Sequence, residues 1–372
     1  MRLTIPTQSL QECLQNLSKA TPTRSTIPIL NSVLFDAGDG GLLVRATDLE
    51  ITMVVRVEAS IGETGSVAIE HRRLMEIANA LPETEVAISS DEENRVKLET
   101  GFGNYDVGGS GSDEFPAMPE VDNKKEVMLK AETLERLIKK TVFALSTDEL
   151  KPALMGALFD FGSDQVTTVA TDGHRLSICS RTDYESKGFT GNVIVPRKFL
   201  LLLSQHLEQR EDVTLWVGDN HVTVSLNGIT LFSRIIDERY PDYSSVIPEG
   251  NDQIVTVNRE NFLATVKRVA IFSNRSTKQI ALHLSSGGSS ITTEDPESAS
   301  KAQEEIDVGY EGEDLVVGYN AAYLSDILSH LDTDNVVMKL KTPISAGLIL
   351  PEMQEDNEEI TMLLMPMRMS GQ

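Results

Sequence analysis

The segment VATDGHRLSI, Val169 to Ile178, places three side chains capable of chemistry within four positions. Asp172 could serve as a general base or metal ligand, His174 as a general acid or base, and Arg175 as an anion-binding group. A β-branched run precedes them and a glycine separates the acid from the imidazole, which is typical of a turn at the end of a strand. The segment therefore predicts a site, either reactive or binding.

Three enzymatic interpretations find no further support in the sequence. A metal site needs more ligands nearby, and the other histidines show no ligand spacing: His71, His206, His221, His283 and His330. A serine hydrolase needs a nucleophile on a tight turn, and no G-x-S-x-G motif occurs. A phosphate loop needs Gly-Lys-Ser or Gly-Lys-Thr, whereas GGSGS (108–112) runs into DEFP. We therefore expect no catalytic residue, no metal and no cofactor.

The composition is that of a globular chain with an acidic balance. The 372 residues are 40% apolar and 24% charged, with a net charge of −24. A nucleic-acid duplex repels such a charge at long range. No apolar run approaches the roughly 18 residues needed to span a bilayer, and the start MRLTIPTQSL lacks the apolar core of a signal peptide. Cys13 and Cys179 lie far apart without a partner motif, which favours a cytoplasmic location.

The Thr-Asp segment belongs to an internal repeat. An apolar hairpin that ends in Thr-Asp or Glu-Asp occurs at 33–50, at 157–174 and, more faintly, at 282–297. The aspartates of the three copies are 124 and 123 residues apart: Asp48, Asp172 and Asp295. Prolines that follow each copy are 125 residues apart: Pro116, Pro241 and Pro366. Two markers with one period indicate three homologous domains.

Each copy predicts the same order of elements. Apolar residues three or four apart predict a first helix in each copy, near 8–19, 131–143 and 259–271. A second helix follows a strand within 68–82, 194–208 and 316–332. The intervening strands alternate, which favours antiparallel sheets with helices on one face. The expected fold class is α+β, with domains at 1–122, 127–248 and 252–372.

The repeat and its motifs together resemble the bacterial sliding clamp family, the β subunit of DNA polymerase III. The motifs are IPILNSVLF, VATDGHRL, VIVPRK, RYPDY and a terminal MPMR, and the resemblance covers essentially the whole chain. It implies a DNA clamp fold and a head-to-tail homodimeric ring around duplex DNA. It also implies a non-catalytic processivity factor that a clamp loader opens, and that tethers the replicative polymerase and other proteins carrying a clamp-binding motif.

The resemblance resolves the conflict over charge, because bases gather at the predicted helices while acids gather in 292–314 and 352–359. The helix bases are His71, Arg72, Arg73, Arg136, Lys139, Lys140, Arg197, Lys198, Arg259, Lys267 and Arg268. The alternative is an exposed helix face with i,i+4 pairs such as Glu132–Arg136 and Glu135–Lys139. The expected DNA-binding set is Arg24, Arg72, Arg73, Lys139, Lys140, Lys151, Arg197, Lys198, Lys267 and Arg268. Asp148 and Glu149 leave open whether the loop 147–154 touches DNA.

The resemblance also gives the opening segment a binding role. Thr-Asp recurs in the first two copies, but Gly173, His174 and Arg175 occur once, which indicates a function performed once per chain. In the family that function is a peptide pocket between the second and third domains. The expected lining is Leu154, Thr171, Gly173, His174, Arg175, Leu176, Pro241, Val246, Asn320, Tyr323, Ile344, Leu363, Met365, Pro366, Met367 and Arg368. Ser370 to Gln372 extend beyond the usual family terminus, and the sequence leaves open whether they crowd the mouth of this pocket.

The ring requires two edge strands in each chain, and we expect them near 104–107 and 270–275. Tyr105, Val107, Ile271 and Phe272 would supply the apolar dimer contacts. Two other functions remain open at this point. One is a non-enzymatic three-repeat scaffold or adhesin without a DNA role, which failure to be loaded onto DNA would support. The other is a hydrolase using Asp172 and His174, which turnover lost in His174→Ala would support.

Overall fold

The structure is a computed structural model that describes residues 1–186, 188–208 and 211–369. Within these residues there are six α-helices and 26 strands, and each copy of the repeat contains two helices that each follow a strand directly. In the first copy these are β1 (Arg2–Pro6), α1 (Thr7–Leu17), β2 (Ser32–Gly38), β3 (Gly41–Thr47), β4 (Ile51–Val57), β5 (Ser60–Glu63), β6 (Gly65–Glu70), α2 (His71–Ala80), β7 (Glu85–Ser90), β8 (Arg95–Thr100) and β9 (Gly103–Ser110).

The third copy repeats this order, and the second does so with one strand fewer between its two helices. The second comprises β10 (Lys125–Lys130), α3 (Ala131–Thr141), β11 (Gly156–Phe161), β12 (Val166–Thr171), β13 (Arg175–Arg181), β14 (Gly191–Pro196), α4 (Arg197–Ser204), β15 (Asp212–Val217), β16 (His221–Leu226) and β17 (Ile229–Arg234). The third comprises β18 (Gln253–Asn258), α5 (Arg259–Ala270), β19 (Gln279–Leu284), β20 (Ser289–Asp295), β21 (Ser300–Ile306), β22 (Val308–Tyr310), β23 (Leu315–Asn320), α6 (Ala321–Ser329), β24 (Asn335–Leu340), β25 (Gly347–Pro351) and β26 (Glu358–Leu364). All six predicted helices are confirmed.

The described chain divides into two compact units. The first contains residues 1–129 and 201–235, and its strands form a sheet in the order β10-β15-β16-β17-β4-β3-β2-β6-β9-β8-β7-β1-β5. The pairing of β17 with β4, Ile229 opposite Val55, joins strands of the second copy to strands of the first. Backbone hydrogen bonds therefore continue across the boundary between the two copies.

The second unit contains residues 130–200 and those from 236 onward. It has one sheet in the order β14-β11-β12-β13-β26-β25-β24-β18-β22 and another in the order β21-β20-β19-β23. Here β13 pairs antiparallel with β26, with Leu176 opposite Leu363, so the second and third copies also share a continuous ladder. The strands of the second copy are thus divided between the two units.

The amphipathic pattern of the sequence accounts for these layers. In α3 the buried apolar residues Ala131, Leu134, Leu137 and Ile138 lie on one face, at the spacing of a helix that packs on a sheet. The strand β15 alternates between buried and more exposed positions, as its period-2 pattern predicts. None of the described helices is long and apolar enough to cross a bilayer.

One expected edge strand is wrong. Residues 270–275 form the last residue of α5 and the following turn, because the helical spacing of that segment continues to Ala270. Within the described residues, one strand of the third copy that ends a sheet is β21, which pairs only with β20. In the first copy, Gly103 to Gly108 of β9 pair with β8 on one side, whereas only Gly109 and Ser110 pair with β6 on the other.

Candidate functional site

The Thr-Asp turn has the same hydrogen bonds in the first two copies. Asp48 Oδ1 accepts from the backbone N–H groups two and three residues further on, at 3.1 and 2.7 Å. Asp172 Oδ1 does the same at 2.8 and 3.0 Å. Leu49 has φ 76° and Gly173 has φ 90°, so both turns need the left-handed conformation that glycine adopts without strain. Asp172 therefore shapes a turn, and the glycine at 173 meets its backbone requirement.

Arg175 is buried, and its guanidinium is fully engaged within the chain. Nε donates to Asp172 at 3.1 Å, Nη1 to Asp326 of α6 at 2.6 Å, and Nη2 to the backbone carbonyl of Phe143 at 2.7 Å. The guanidinium also lies 5.3 Å from the ring centre of Phe143 and 4.7 Å from that of Tyr323. Arg175 thus joins the turn of the second copy to a helix of the third copy.

His174 is exposed and lies beside residues of the chain terminus. Its imidazole stacks on Tyr323 with ring centres 5.9 Å apart and an interplanar angle of 17°. Its backbone carbonyl accepts from the N–H of Met365 at 2.9 Å, which extends the β13–β26 ladder by one pair. Residues 191 positions apart in sequence are therefore neighbours, and both keep exposed side chains.

An apolar floor lies next to this pair. Leu176 and Leu363 face each other across the ladder and pack with Leu158, Val169, Ile194 and Ala346. Tyr240, Tyr243 and Ile247 pack against the same cluster. A cavity of about 420 Å³ opens between Leu158, Ile194 and the segment 238–244, which includes Pro241. Val246, Ile344 and Met365 are exposed apolar residues, 51%, 72% and 41% accessible.

The third copy contributes the first turn of α6 and the segment after β26. Asn320 caps α6: its Oδ1 accepts from the N–H groups of Ala322 and Tyr323, and its Nδ2 donates to the carbonyl of Thr277. Met367 bridges to Gly318, where an added Cβ would lie 2.8 Å from the Met367 carbonyl oxygen. The side chains of Pro366 and Met367 are half-buried and that of Arg368 is exposed, while Ser370 to Gln372 lie outside the described residues.

Two further members of the expected lining, and one base expected at DNA, lie at or below this surface. Thr171 donates its hydroxyl to the carbonyl of Arg175 at 2.6 Å, which closes the turn. Leu154 is half-buried at the end of the short turn Pro152–Met155. Lys151, expected at DNA, directs its ammonium toward the turn, since Nζ lies 3.8 Å from the position of a Cβ on Gly173. An exposed cation therefore lies beside His174.

The expected DNA-binding bases differ in their exposure. The exposed ones are Arg24, Arg72, Arg73, Lys139, Lys151, Lys267 and Arg268, and the half-buried ones are Arg197 and Lys198. Arg72 pairs with Glu76 at 3.0 Å, Arg73 with Glu70 at 3.7 Å, and Arg268 with Glu304 at 2.5 Å. The remaining base, Lys140, is fully buried, so the expectation that it contacts DNA is wrong.

Lys140 and Arg136 belong to a buried ion-pair network that sequence reasoning missed. Lys140 Nζ donates to Asp332 at 2.7 Å, and Arg136 also binds Asp332. Arg136 further reaches Glu355 at 2.8 Å and binds both oxygens of Glu358, whose side chain is 1% exposed. Arg136 therefore does not use its expected i,i+4 partner. The only sequence signal was two bases one helical turn apart on α3.

The charges of this network stabilise one another. Burial lowers the pKa of Lys140, and its hydrogen bond to Asp332 offsets part of that effect. Burial opposes ionisation of Glu358, but hydrogen bonds from Arg136 and the charge of Arg181 outweigh it and lower the pKa of Glu358. The hydrogen bond with Glu358 raises the pKa of Arg136. Glu358 and Arg136 therefore hold each other in their charged forms at neutral pH.

The geometry around His174 is that of a binding face. Among the described residues, no group of three His, Cys, Asp or Glu side chains could hold a metal ion. The carboxylate of Asp172 is occupied by the turn and by Arg175, so it is not aligned to act on the imidazole. What the site presents is an apolar floor, an exposed imidazole and exposed cations, which suit an extended peptide.

Family models match the chain over nearly its whole length. A model described as the DNA polymerase III beta subunit N-terminal domain matches residues 1–119, the central-domain model matches 128–242, and the C-terminal-domain model matches 244–368. The beta sliding clamp of Pseudomonas aeruginosa is 32% identical over 371 residues, which are 99% of this chain and 100% of that protein.

Solved structures give the same result. The DNA polymerase III subunit beta of Pseudomonas aeruginosa superposes with a TM-score of 0.92 at 31% identity, covering 99% of this chain and 100% of that one. The sliding clamp of Bacillus subtilis has a TM-score of 0.92 at 26% identity, with 99% of each chain covered. The architecture is therefore the α+β DNA clamp fold. The chain belongs to the bacterial DNA polymerase III beta subunit family and is a DNA sliding clamp, a non-catalytic processivity factor of replication.

Proposed function

We propose that this chain forms a head-to-tail homodimeric ring around duplex DNA. Domains at 1–122, 127–248 and 252–372 would give six domains per ring. A clamp loader would open it, and the replicative polymerase and other clamp-binding proteins would dock in a peptide pocket on each chain. The observation that carries the pocket is the side-by-side position of His174 and Met365 over the floor of Leu176 and Leu363.

The pocket would take a short peptide that contains a glutamine and ends in leucine and phenylalanine. The exposed Val246, Ile344 and Met365 offer apolar surface for the two large side chains, and methionine adapts to ligands of different shape. His174 and Arg368 keep polar groups exposed that could bind the peptide amide. Asn320 and Arg175 would position the site rather than contact the peptide. Asn320 caps α6, and Arg175 joins α6 to β13.

The ring would close through sheet pairing between two copies. The unpaired side of β9, with Tyr105 and Val107, and the outer strand β21 are the open edges that fit such a contact. Ile271 and Phe272, at the end of α5, are 77% and 44% exposed and would add the apolar contacts. The exposed bases of the helices would face DNA, while acids elsewhere in the chain keep the net charge negative.

The double variant Ile271→Ala/Phe272→Ala should be monomeric, because it removes the most exposed apolar residues of the proposed interface. Sedimentation equilibrium at micromolar concentration measures the change, with the wild type as dimer. Leu150→Ala, which truncates a residue 90% exposed on a loop, is the matched control and should remain dimeric. A double variant that still sediments as a dimer would place the interface elsewhere.

Retention on closed circular DNA should persist at salt concentrations that release the protein from linear DNA. The reason is that phosphate attraction to exposed lysines and arginines falls steeply with salt, whereas a closed ring is held by topology. Gel filtration of loaded complexes, with the circle either intact or cut once, separates the two effects. Equal salt sensitivity on both substrates would contradict the ring and favour a three-repeat scaffold without a DNA role.

A further inference from the structure

The helix α6 is anchored to the second copy at its C-terminal end as well as at the peptide site. Lys140 of α3 donates from Nζ to the backbone carbonyl of His330 at 2.5 Å, one residue beyond α6, and to Asp332 at 2.7 Å. The Lys140 side chain is 0% exposed. A buried ammonium is costly unless its hydrogen bonds are satisfied, so these contacts hold the end of α6 in one place.

The opposite end of α6 forms part of the peptide site. Tyr323, in its first turn, stacks on His174, and Asp326, one turn later, binds Arg175 at 2.6 Å. A helix of nine residues is a short, stiff connection, because its backbone hydrogen bonds prevent bending without a break. A shift of α6 at the Lys140 end would therefore move the ring of Tyr323.

A series of contacts between planar groups connects the two ends. His330 packs on Phe143 with ring centres 4.0 Å apart, and its Nδ1 lies 2.7 Å from the carbonyl of Asp326. Phe143 in turn lies against Arg175, whose guanidinium also lies over the ring of Tyr323. Each member is fixed by its neighbours, so the position of His330 and that of Tyr323 depend on each other.

We propose that Lys140 is a positioning residue for peptide binding, acting through His330 and α6 on the Tyr323–His174 face. This inference rests on the proposed peptide-binding function of that face. Lys140 does not touch the peptide; it keeps the face preformed, which reduces the ordering that binding would otherwise require. Lys140, which was expected to contact DNA, would thus act on peptide binding instead.

The test replaces Lys140 by methionine, which keeps the length of the side chain and removes its charge. Lys140→Met should weaken binding of a fluorescent Gln-x-x-Leu-Phe peptide by about five- to tenfold, on the order of 1 kcal/mol. The imidazole resonances of His174, assigned by comparison with His174→Ala, should shift, because the ring current of Tyr323 acts on them. If Lys140 had no structural link to the peptide site, its replacement would leave the His174 resonances unchanged.

Lys130→Met is the matched control. Lys130 precedes α3, pairs with Asp183 at 3.8 Å and is 62% exposed, so its loss should change neither peptide affinity nor the His174 resonances. If Lys140→Met does not fold, Asp332→Asn removes the carboxylate that holds the Lys140 ammonium beside the His330 carbonyl, together with its pair to Arg136, and it should give the same two changes. A folded variant of either kind with wild-type affinity and unshifted His174 would overturn the inference. Absence of peptide binding by the wild type would instead contradict the proposed function.

Discussion

His174→Ala and Met365→Ala should each weaken binding of a Gln-x-x-Leu-Phe peptide by about tenfold. A buried apolar side chain contributes roughly 1.5–3 kcal/mol, and 1.4 kcal/mol corresponds to about one order of magnitude in affinity. Met365 is 41% exposed without peptide, so the part of its surface that a ligand would cover is available. Fluorescence anisotropy with a labelled peptide measures the loss, and sedimentation shows that dimerisation is unchanged.

Met353→Ala is the control for Met365→Ala, since Met353 is 74% exposed and lies outside the expected lining. The two site variants should also couple, so that the double variant loses less or more than the sum of the single losses. Coupling follows from their position, because His174 accepts a backbone hydrogen bond from Met365 and both would contact one ligand. Wild-type affinity in both folded single variants would mean that TDGHR is only structural.

The repeat made most of the fold predictable from the sequence. Three copies with one spacing indicated one order of elements, so each helix predicted in one copy was supported by the corresponding helices of the other two. The same logic explains the Thr-Asp turn: Asp48 and Asp172 make equivalent hydrogen bonds, although only one of them lies beside an exposed histidine. Repeats predict what the copies share because the shared residues serve the shared fold.

Long-range electrostatics could not be predicted in this way. Lys139 and Lys140 are adjacent lysines on α3, yet one is exposed and the other is fully buried. The difference arises from Asp332, an acid 192 positions away, whose place opposite α3 depends on how the third copy packs. The prediction of an edge strand near 270–275 was wrong for a related reason. The apolar residues Ile271 and Phe272 suggest a strand, but they follow a helix that ends at Ala270.

Glu358→Gln should lower the free energy of unfolding of the unit that contains α3 and β26 by about 3–5 kcal/mol. Removing one partner of a buried ion pair leaves the other charge without compensation, and such losses are of this order. Glu358 is buried and binds two guanidiniums, with both oxygens on Arg136 and one oxygen 3.3 Å from Arg181. Chemical denaturation followed by circular dichroism measures the loss. Glu359→Gln, an exposed neighbour on the same strand, should change stability little.

The difference in the free energy of unfolding between the wild type and Glu358→Gln should shrink in acid. This pH dependence distinguishes the loss of a charge from a disturbance of packing. The folded-state pKa of Glu358 lies below its ordinary value of 4.5, because the arginine partners outweigh the effect of burial. Its stabilising contribution is therefore fully present above pH 4.5 and is lost as the pH falls through the lower folded-state value. Denaturation curves between pH 7 and pH 3 should show the wild type converging on the glutamine variant. A constant difference over that range would mean that the variant acts by disturbing packing rather than by removing a charge.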